Sequence, residues 1–310
     1  MSLLDRCIHS FIGSQEYKLY SIQQLWAGYG CIYRLDTTGK QYVVKHYQWR
    51  DAAVLNSDKD SFAEKRKITS FLHEKDWYSS NLGQKLGIIQ PQCLFSKSEN
   101  QELVLILSDL ENEGFICSNR SINVQEYEQT IIFLAEMHAR GVDLWDMKMP
   151  LAGYWQLALR PFELQEMAPS ILKTKAKQIS SLLDGAKFQC VLHGDAKAAN
   201  YGVNPDNGAV AAFDFQYWGR GPGIMDLVCY LSGVASSEAE WNNYSAIYFD
   251  QLKHQLANRH FGEMDLLIEE WRFLLPFARA DYQRFIEGWS PTHWKSNALP
   301  KPVLGLLEAL

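Results

Sequence analysis

Val191–Asn200 reads VLHGDAKAAN, and Phe213–Gly219, shortly after it, reads FDFQYWG. The first stretch sets His193, Asp195, Lys197 and Asn200 at short fixed steps. Between the two, NYGVNPDNGAVAAFDF is a pair of short apolar runs joined at Asn207–Gly208. Asn-Gly between apolar runs is the strongest local signal for a hairpin. The hairpin would return the chain so that Asp214 emerges at a strand end beside Asn200. His-x-Asp alone is commonplace, and a loop of solvated charges followed by a buried strand would also produce it. The joint pattern is far more specific.

That pattern suits phosphoryl transfer, which asks a protein for a proton acceptor, ligands for Mg²⁺ and positive charge on the phosphates. The protein-kinase catalytic loop has the form H-R-D-x-x-x-x-N, matched here at His193, Asp195 and Asn200. Asp195 is then the base, Lys197 meets the transferring phosphate, and Asn200 and Asp214 bind Mg²⁺. Asp214-Phe215-Gln216 stands where kinases have Asp-Phe-Gly. Carboxylate and amide oxygens suit this hard cation. His193 reads as a packed scaffold residue, and His138, on an apolar helix face, as core.

Around this centre, 310 residues with 47% apolar and 21% charged side chains make an ordinary globular chain, long enough for two lobes. A net charge of −6 without a Lys/Arg stripe argues against a nucleic-acid partner. The six cysteines lie far apart with no CxxC pair, as expected of reduced thiols in a cytoplasmic protein. Acidic and polar residues interrupt MSLLDRCIHSFIGSQEY, so no signal peptide is expected, and no apolar run is long enough to span a membrane.

Residues 1–110 read as strand-rich, with one amphipathic helix through Phe62, Ile68, Phe71, Leu72 and Trp77. Residues 111–310 read as helical, beginning with NVQEYEQTIIFLAEMHARG and its N-cap candidate Asn123. The expected architecture is α+β: a β-rich N-lobe and a mainly helical C-lobe carrying the catalytic loop.

HGDAKAAN, DFQYWGRGPGIMDLVCYL and LVLILSDL resemble the aminoglycoside phosphotransferase and choline kinase-like superfamily, nearest its ecdysteroid-kinase-like branch. The resemblance covers roughly residues 20 to 290 and implies a bilobal, protein-kinase-like fold acting with ATP and Mg²⁺. It implies that Lys45, taken to end the strand QYVVK, pairs with the α- and β-phosphates. The lysine's glutamate partner is Glu64 or Glu74, and the branch's aromatic pair after that glutamate favours Glu74, in EKDWY. Gly28, Tyr29 and Gly30 would form the nucleotide loop, and Ser108, Asp109 and Leu110 the hinge that meets adenine through its backbone. Asp226 would hold the catalytic loop by its amides.

Eleven residues separate Asp214 from Asp226, too few for a phosphorylatable activation segment. A small-molecule hydroxyl acceptor is therefore expected. Trp145, Tyr154, Trp155, Trp241, Trp271, Tyr282, Trp289 and Trp294 could cage an ammonium group, and Glu269, Glu270 or Asp281 could attract an amine. Choline, an aminoglycoside, a sugar and a sterol-like alcohol all stay open, as do ATP against GTP and the oligomeric state. The alternatives are a nucleotide-binding pseudokinase scaffold, which would usually lack the base, a metal ligand or the lysine, and a protein kinase.

Overall fold

The computed structural model describes residues 1–25, 28–50, 57–117, 124–290 and 299–310. Asn123 and Trp294 lie outside them. The chain divides into two compact units, one of residues 1–84, 88–118 and 202–216, the other of 85–87, 119–201 and 217–310. A single cut after residue 110 is the simpler division expected from sequence. The units interleave because 202–216 pairs with the first: Ala211 bridges to Ile89 and Val203 to Ile116.

The first unit is built on an antiparallel sheet in the order β1-β2-β3-β5-β4. Its strands are β1 (Tyr17–Gln24), β2 (Gly30–Thr37), β3 (Lys40–Gln48), β4 (Cys93–Glu99) and β5 (Glu102–Ser108). β5 is buried along Leu103–Leu107 because a helix covers each face. Strand alternation sends Val104 and Ile106 to α1 (Leu3–Ile12), where they meet Leu3, Leu4, Cys7 and Ile8. Leu103, Leu105 and Leu107 take the opposite side with Tyr47 and with Phe71 of α2 (Asp58–Ser79). The same alternation on β3 places Val44 with the α1 cluster and Tyr47 with the α2 cluster. Lys45, one step from Val44 and two from Tyr47, therefore faces α2.

The expected helix between β3 and β4 exists, but its buried positions include Glu64, Ser70 and Glu74 besides Phe71 and Trp77. Ser57 caps it by accepting from the Asp60 amide. A short α3 (Leu82–Leu86) follows.

The second unit is helical: α4 (Val124–Gly141), α5 (Pro161–Glu166), α6 (Ile171–Asp184), α7 (Ile224–Val234), α8 (Glu238–Asn258), α9 (Met264–Trp289) and α10 (Lys301–Ala309). β6 (Cys190–Leu192) pairs with β9 (Gly219–Gly221). Trp271 and Arg284 anchor α9: both are fully buried, the indole donating to the Phe188 carbonyl and the guanidinium to Asp281 and the Trp155 carbonyl. Among the described residues no helix is long and apolar enough to cross a membrane.

The hairpin between the site segments is β7 (Tyr201–Val203) and β8 (Val210–Ala212). Its turn runs wider than Asn207–Gly208, closing with the Ala209 carbonyl accepting from the Asn204 amide at 2.9 Å. Of that dipeptide only Gly208, at φ 71°, is left-handed.

Trp77 of α2 stacks on Phe215 with ring centroids 4.0 Å apart and donates to Gln90. Trp77→Ala should cost about 3–5 kcal/mol in urea unfolding followed by circular dichroism. A loss below about 1 kcal/mol would mean that this stack does not hold the first unit together.

Candidate active site

Register and helix phase bring Lys45 to two carboxylates. Its Nζ donates to Glu74 Oε1 at 2.6 Å and to Asp214 Oδ1 at 2.8 Å. The Lys45 side chain is 7% exposed and that of Glu74 0%, while that of Asp214, at the end of the returning hairpin, is 26% exposed. The Tyr47 hydroxyl donates to the other Glu74 oxygen. Lys45 lies inside β3, opposite Ile32 and Leu105, and not at the strand end expected from QYVVK. A sequence window cannot see how far pairing continues into His46–Gln48.

Glu64, the other candidate, is engaged elsewhere: it accepts from the Tyr29 hydroxyl and from the Arg50 amide at 2.9 Å. Tyr29 is thus tied to α2 through its side chain. Gly30, at φ 118°, has no room for a side chain, since a Cβ would lie 1.9 Å from the His46 carbonyl oxygen. At the expected hinge, Ser108 pairs with Tyr42, Asp109 is taken by Arg34 at 2.9 Å, and Leu110 is buried with Phe115 and Ala211. Side chains there serve the fold.

In the second unit β6 delivers the loop His193–Asn200. Asp226, in the first turn of α7, accepts from the His193 amide at 2.7 Å and the Gly194 amide at 2.9 Å. The expected loop-holding role of Asp226 is therefore matched by geometry. Its Oδ2 also meets His138 Nε2 at 3.2 Å, and His138 Nδ1 meets the Tyr248 hydroxyl at 2.8 Å. His138 and Asp226 are fully buried, so the core histidine is a support for the loop as well. Gly194, at φ 80°, is irreplaceable: a Cβ would lie 1.7 Å from the Tyr217 carbonyl oxygen.

The loop then folds on itself. Lys197 Nζ lies 2.8 Å from Asp195 Oδ2. Asn200 Nδ2 donates to the Asp195 carbonyl at 2.8 Å and to its Oδ2 at 3.2 Å. Both contacts use the Asn200 amide nitrogen, which turns its Oδ1 away from Asp195.

The residues considered for the acceptor separate by environment. Trp155 and Tyr282 meet edge to face at 5.2 Å, Tyr154 and Tyr217 at 5.0 Å. Burial raises the Tyr282 hydroxyl's pKa well above its ordinary value, and Cys229 and Asp195 add to the shift. Glu270 caps the amides of Lys187 and Phe188, Asp281 pairs with Arg284, and Arg279 covers Trp241. Those positions are structural. Sequence reasoning missed Tyr47, Ser70 and Gln216, which surround the Lys45 cluster; only the place of Gln216 in Asp-Phe-Gln hinted at it.

Residues 118–267 match the profile of APH, the phosphotransferase enzyme family. Three solved structures share the fold. The aminoglycoside-3'-phosphotransferase of type VIII is 17% identical with a TM-score of 0.50, over 88% of this chain and 98% of its own. The choline kinase LicA from Streptococcus pneumoniae is 13% identical, TM-score 0.53, over 100% of both chains. A choline/ethanolamine kinase family protein from Mesorhizobium loti is 9% identical, TM-score 0.54, again over 100% of both. The profile match takes in the loop His193–Asn200, and the solved structures speak for a shared fold. At such identities the likeness to solved structures speaks for the α+β, protein-kinase-like fold, and not for the ecdysteroid-kinase-like branch. No curated protein sequence matches the chain.

Burial by itself would lower the pKa of the Lys45 ammonium, but Asp214 and Glu74 outweigh it and hold it raised. Its contribution to stability is therefore complete below the unfolded value, about 10.4, and lost only as pH climbs through the folded one. Burial raises the Glu74 carboxyl, and Lys45 opposes that rise. In Lys45→Met the opposition is gone and Glu74 rises further. A carboxyl with a raised folded pKa destabilises the fold above its unfolded value, about 4.3, and this penalty fades as pH falls. The variant should lose about 3–5 kcal/mol at pH 7. The deficit should shrink steadily as urea melts are taken to pH 5. A deficit independent of pH would contradict the placement of Glu74.

Proposed function

We propose that this chain is an ATP-dependent phosphotransferase that moves the γ-phosphate to a hydroxyl of a small molecule. The observation that carries the reading is the buried Lys45–Glu74 pair reaching Asp214. A buried carboxylate and ammonium joined by a second, partly exposed carboxylate are a poor way to gain stability, since desolvation offsets most of their attraction. They make sense where polyanionic phosphates and a cation are to be bound. Structural neighbours support the nucleotide: LicA, with a TM-score of 0.53, has also been solved in complex with AMP.

Lys45 binds the α- and β-phosphates, the amides of Gly28–Gly30 approach them, and the backbone of Ser108–Leu110 receives the base. By donor chemistry, Asn200 Oδ1 and the Asp214 carboxylate would each offer Mg²⁺ a hard oxygen. When bound, Mg²⁺ neutralises charge on the phosphate oxygens. Asp195 accepts the acceptor hydroxyl's proton as its oxygen bonds to the γ-phosphorus. The bond from that phosphorus to the bridging oxygen breaks, and ADP leaves with the electron pair. Lys197, beside Asp195, turns to the transferring phosphoryl group. Asp226 and His138 hold the loop so that Asp195 keeps its place.

An ADP-release screen across hydroxylated metabolites identifies the acceptor. Against that acceptor, Asp195→Ala should bind MgATP as tightly as wild type by calorimetry and lose about 10²–10⁴ in kcat. Near-normal turnover would refute the base, and a collapse of ATP binding would make Asp195 structural. MgATP binding by wild type without turnover on any acceptor would favour the scaffold reading.

A further inference from the structure

Gln216 occupies the position where protein kinases carry glycine, and the chemistry above gives it no task. Its side-chain amide is nevertheless fully committed within the first unit. Nε2 donates to the Tyr47 hydroxyl and to Asp214 Oδ1, each at 3.1 Å. Oε1 lies 3.2 Å from the Ser70 hydroxyl, whose one proton is shared with the Lys67 carbonyl at 2.8 Å. Tyr47, on β3, and Ser70, on α2, are both buried, and the Tyr47 hydroxyl goes on to the carboxylate that holds Lys45.

Each residue of Asp214-Phe215-Gln216 is therefore tied to a covering element: Asp214 to Lys45, Phe215 to the Trp77 ring, Gln216 to β3 and α2 together. Asp214 needs such support, because at φ 69° it adopts a left-handed backbone that side chains seldom take. Oδ1 of Asp214 is fixed from two sides, by Lys45 and by Gln216, which stops rotation of the carboxylate. Glycine at 216 would supply no donor and a freer backbone. Glutamate would present another acceptor beside Asp214 and Glu74 and could not replace the amide N–H groups when ionised.

We propose that Gln216 is a positioning residue that sets the Asp214 carboxylate and couples it, through Tyr47 and Ser70, to the Lys45–Glu74 pair before nucleotide arrives. Pre-setting a ligand removes an ordering cost from binding. The inference rests on the reading of Asp214 as a metal ligand.

The test is calorimetry of ATP binding over a series of Mg²⁺ concentrations, for wild type, Gln216→Ala, Ser70→Ala and the double variant. Gln216→Ala should raise the Mg²⁺ concentration that half-tightens ATP binding about tenfold, as expected for losing a hydrogen bond to a charged group. Its affinity for metal-free ATP should stay within about twofold of wild type, because Lys45 keeps its contacts. Ser70→Ala does not touch Asp214, so it should shift the Mg²⁺ dependence less and add nothing once Gln216 is gone; a merely structural residue would move the melting temperature alone. Unchanged Mg²⁺ dependence in both single variants overturns the inference and leaves the proposed function standing. Additive shifts also overturn it, since Ser70 would then act independently of Gln216. Failure of wild type to bind MgATP overturns both.

Discussion

A lysine ammonium buried between two carboxylates governs how the first unit is organised. Lys45 must lie on the α2 side of β3, which fixes the phase of that strand and sends Val44 to the α1 side. Glu74 must face the sheet from the fifth turn of α2, so this helix buries carboxylates where an ordinary amphipathic helix buries only apolar groups. Asp214 must arrive from more than a hundred and sixty residues away, which explains why 202–216 belongs with the first unit. Removing the ammonium would leave Glu74 buried without its cation, a far larger penalty than the gain from having made the pair.

The second unit solves a different problem, that of keeping a short loop in one conformation. Its device is a carboxylate at a helix N-terminus, where the helix dipole already favours negative charge. Asp226 takes two backbone amides from the loop and a histidine from α4, and the histidine is held by a tyrosine from α8. Three helices therefore converge on the peptide before Asp195. Gly194 permits the close approach to Tyr217 that the turn needs.

Local chemistry was the legible part of the sequence. Asp195, Lys197 and Asn200 contact one another within five residues, so their spacing carries their geometry. The same holds for the hairpin, although Asn207 leaves only Gly208 left-handed and the turn is wider. Spacing did not tell Glu64 from Glu74, since both face inward from α2; the resemblance of EKDWY favoured Glu74, and the position of β3 beneath the helix brings Lys45 to it. Tyr47, Ser70 and Gln216 come from three elements and meet through tertiary packing, which no window of sequence contains. The helix α1 was legible yet unread: Leu3, Leu4, Cys7, Ile8 and Ile12 carry helical spacing, and Ser2 with Asp5 forms a capping box.

The central claim is that the buried Lys45 ammonium serves nucleotide phosphates. The most direct measurement is labelling with an acyl-phosphate derivative of ATP, which transfers its acyl group to a lysine nitrogen held beside the phosphates and releases ATP. Peptide mass spectrometry then locates the acylated lysine. The account predicts the label on Lys45, suppressed by excess MgATP and lost from Lys45→Met. Label spread over exposed lysines such as Lys187 and Lys253, unaffected by MgATP and with Lys45 unmodified, would contradict it.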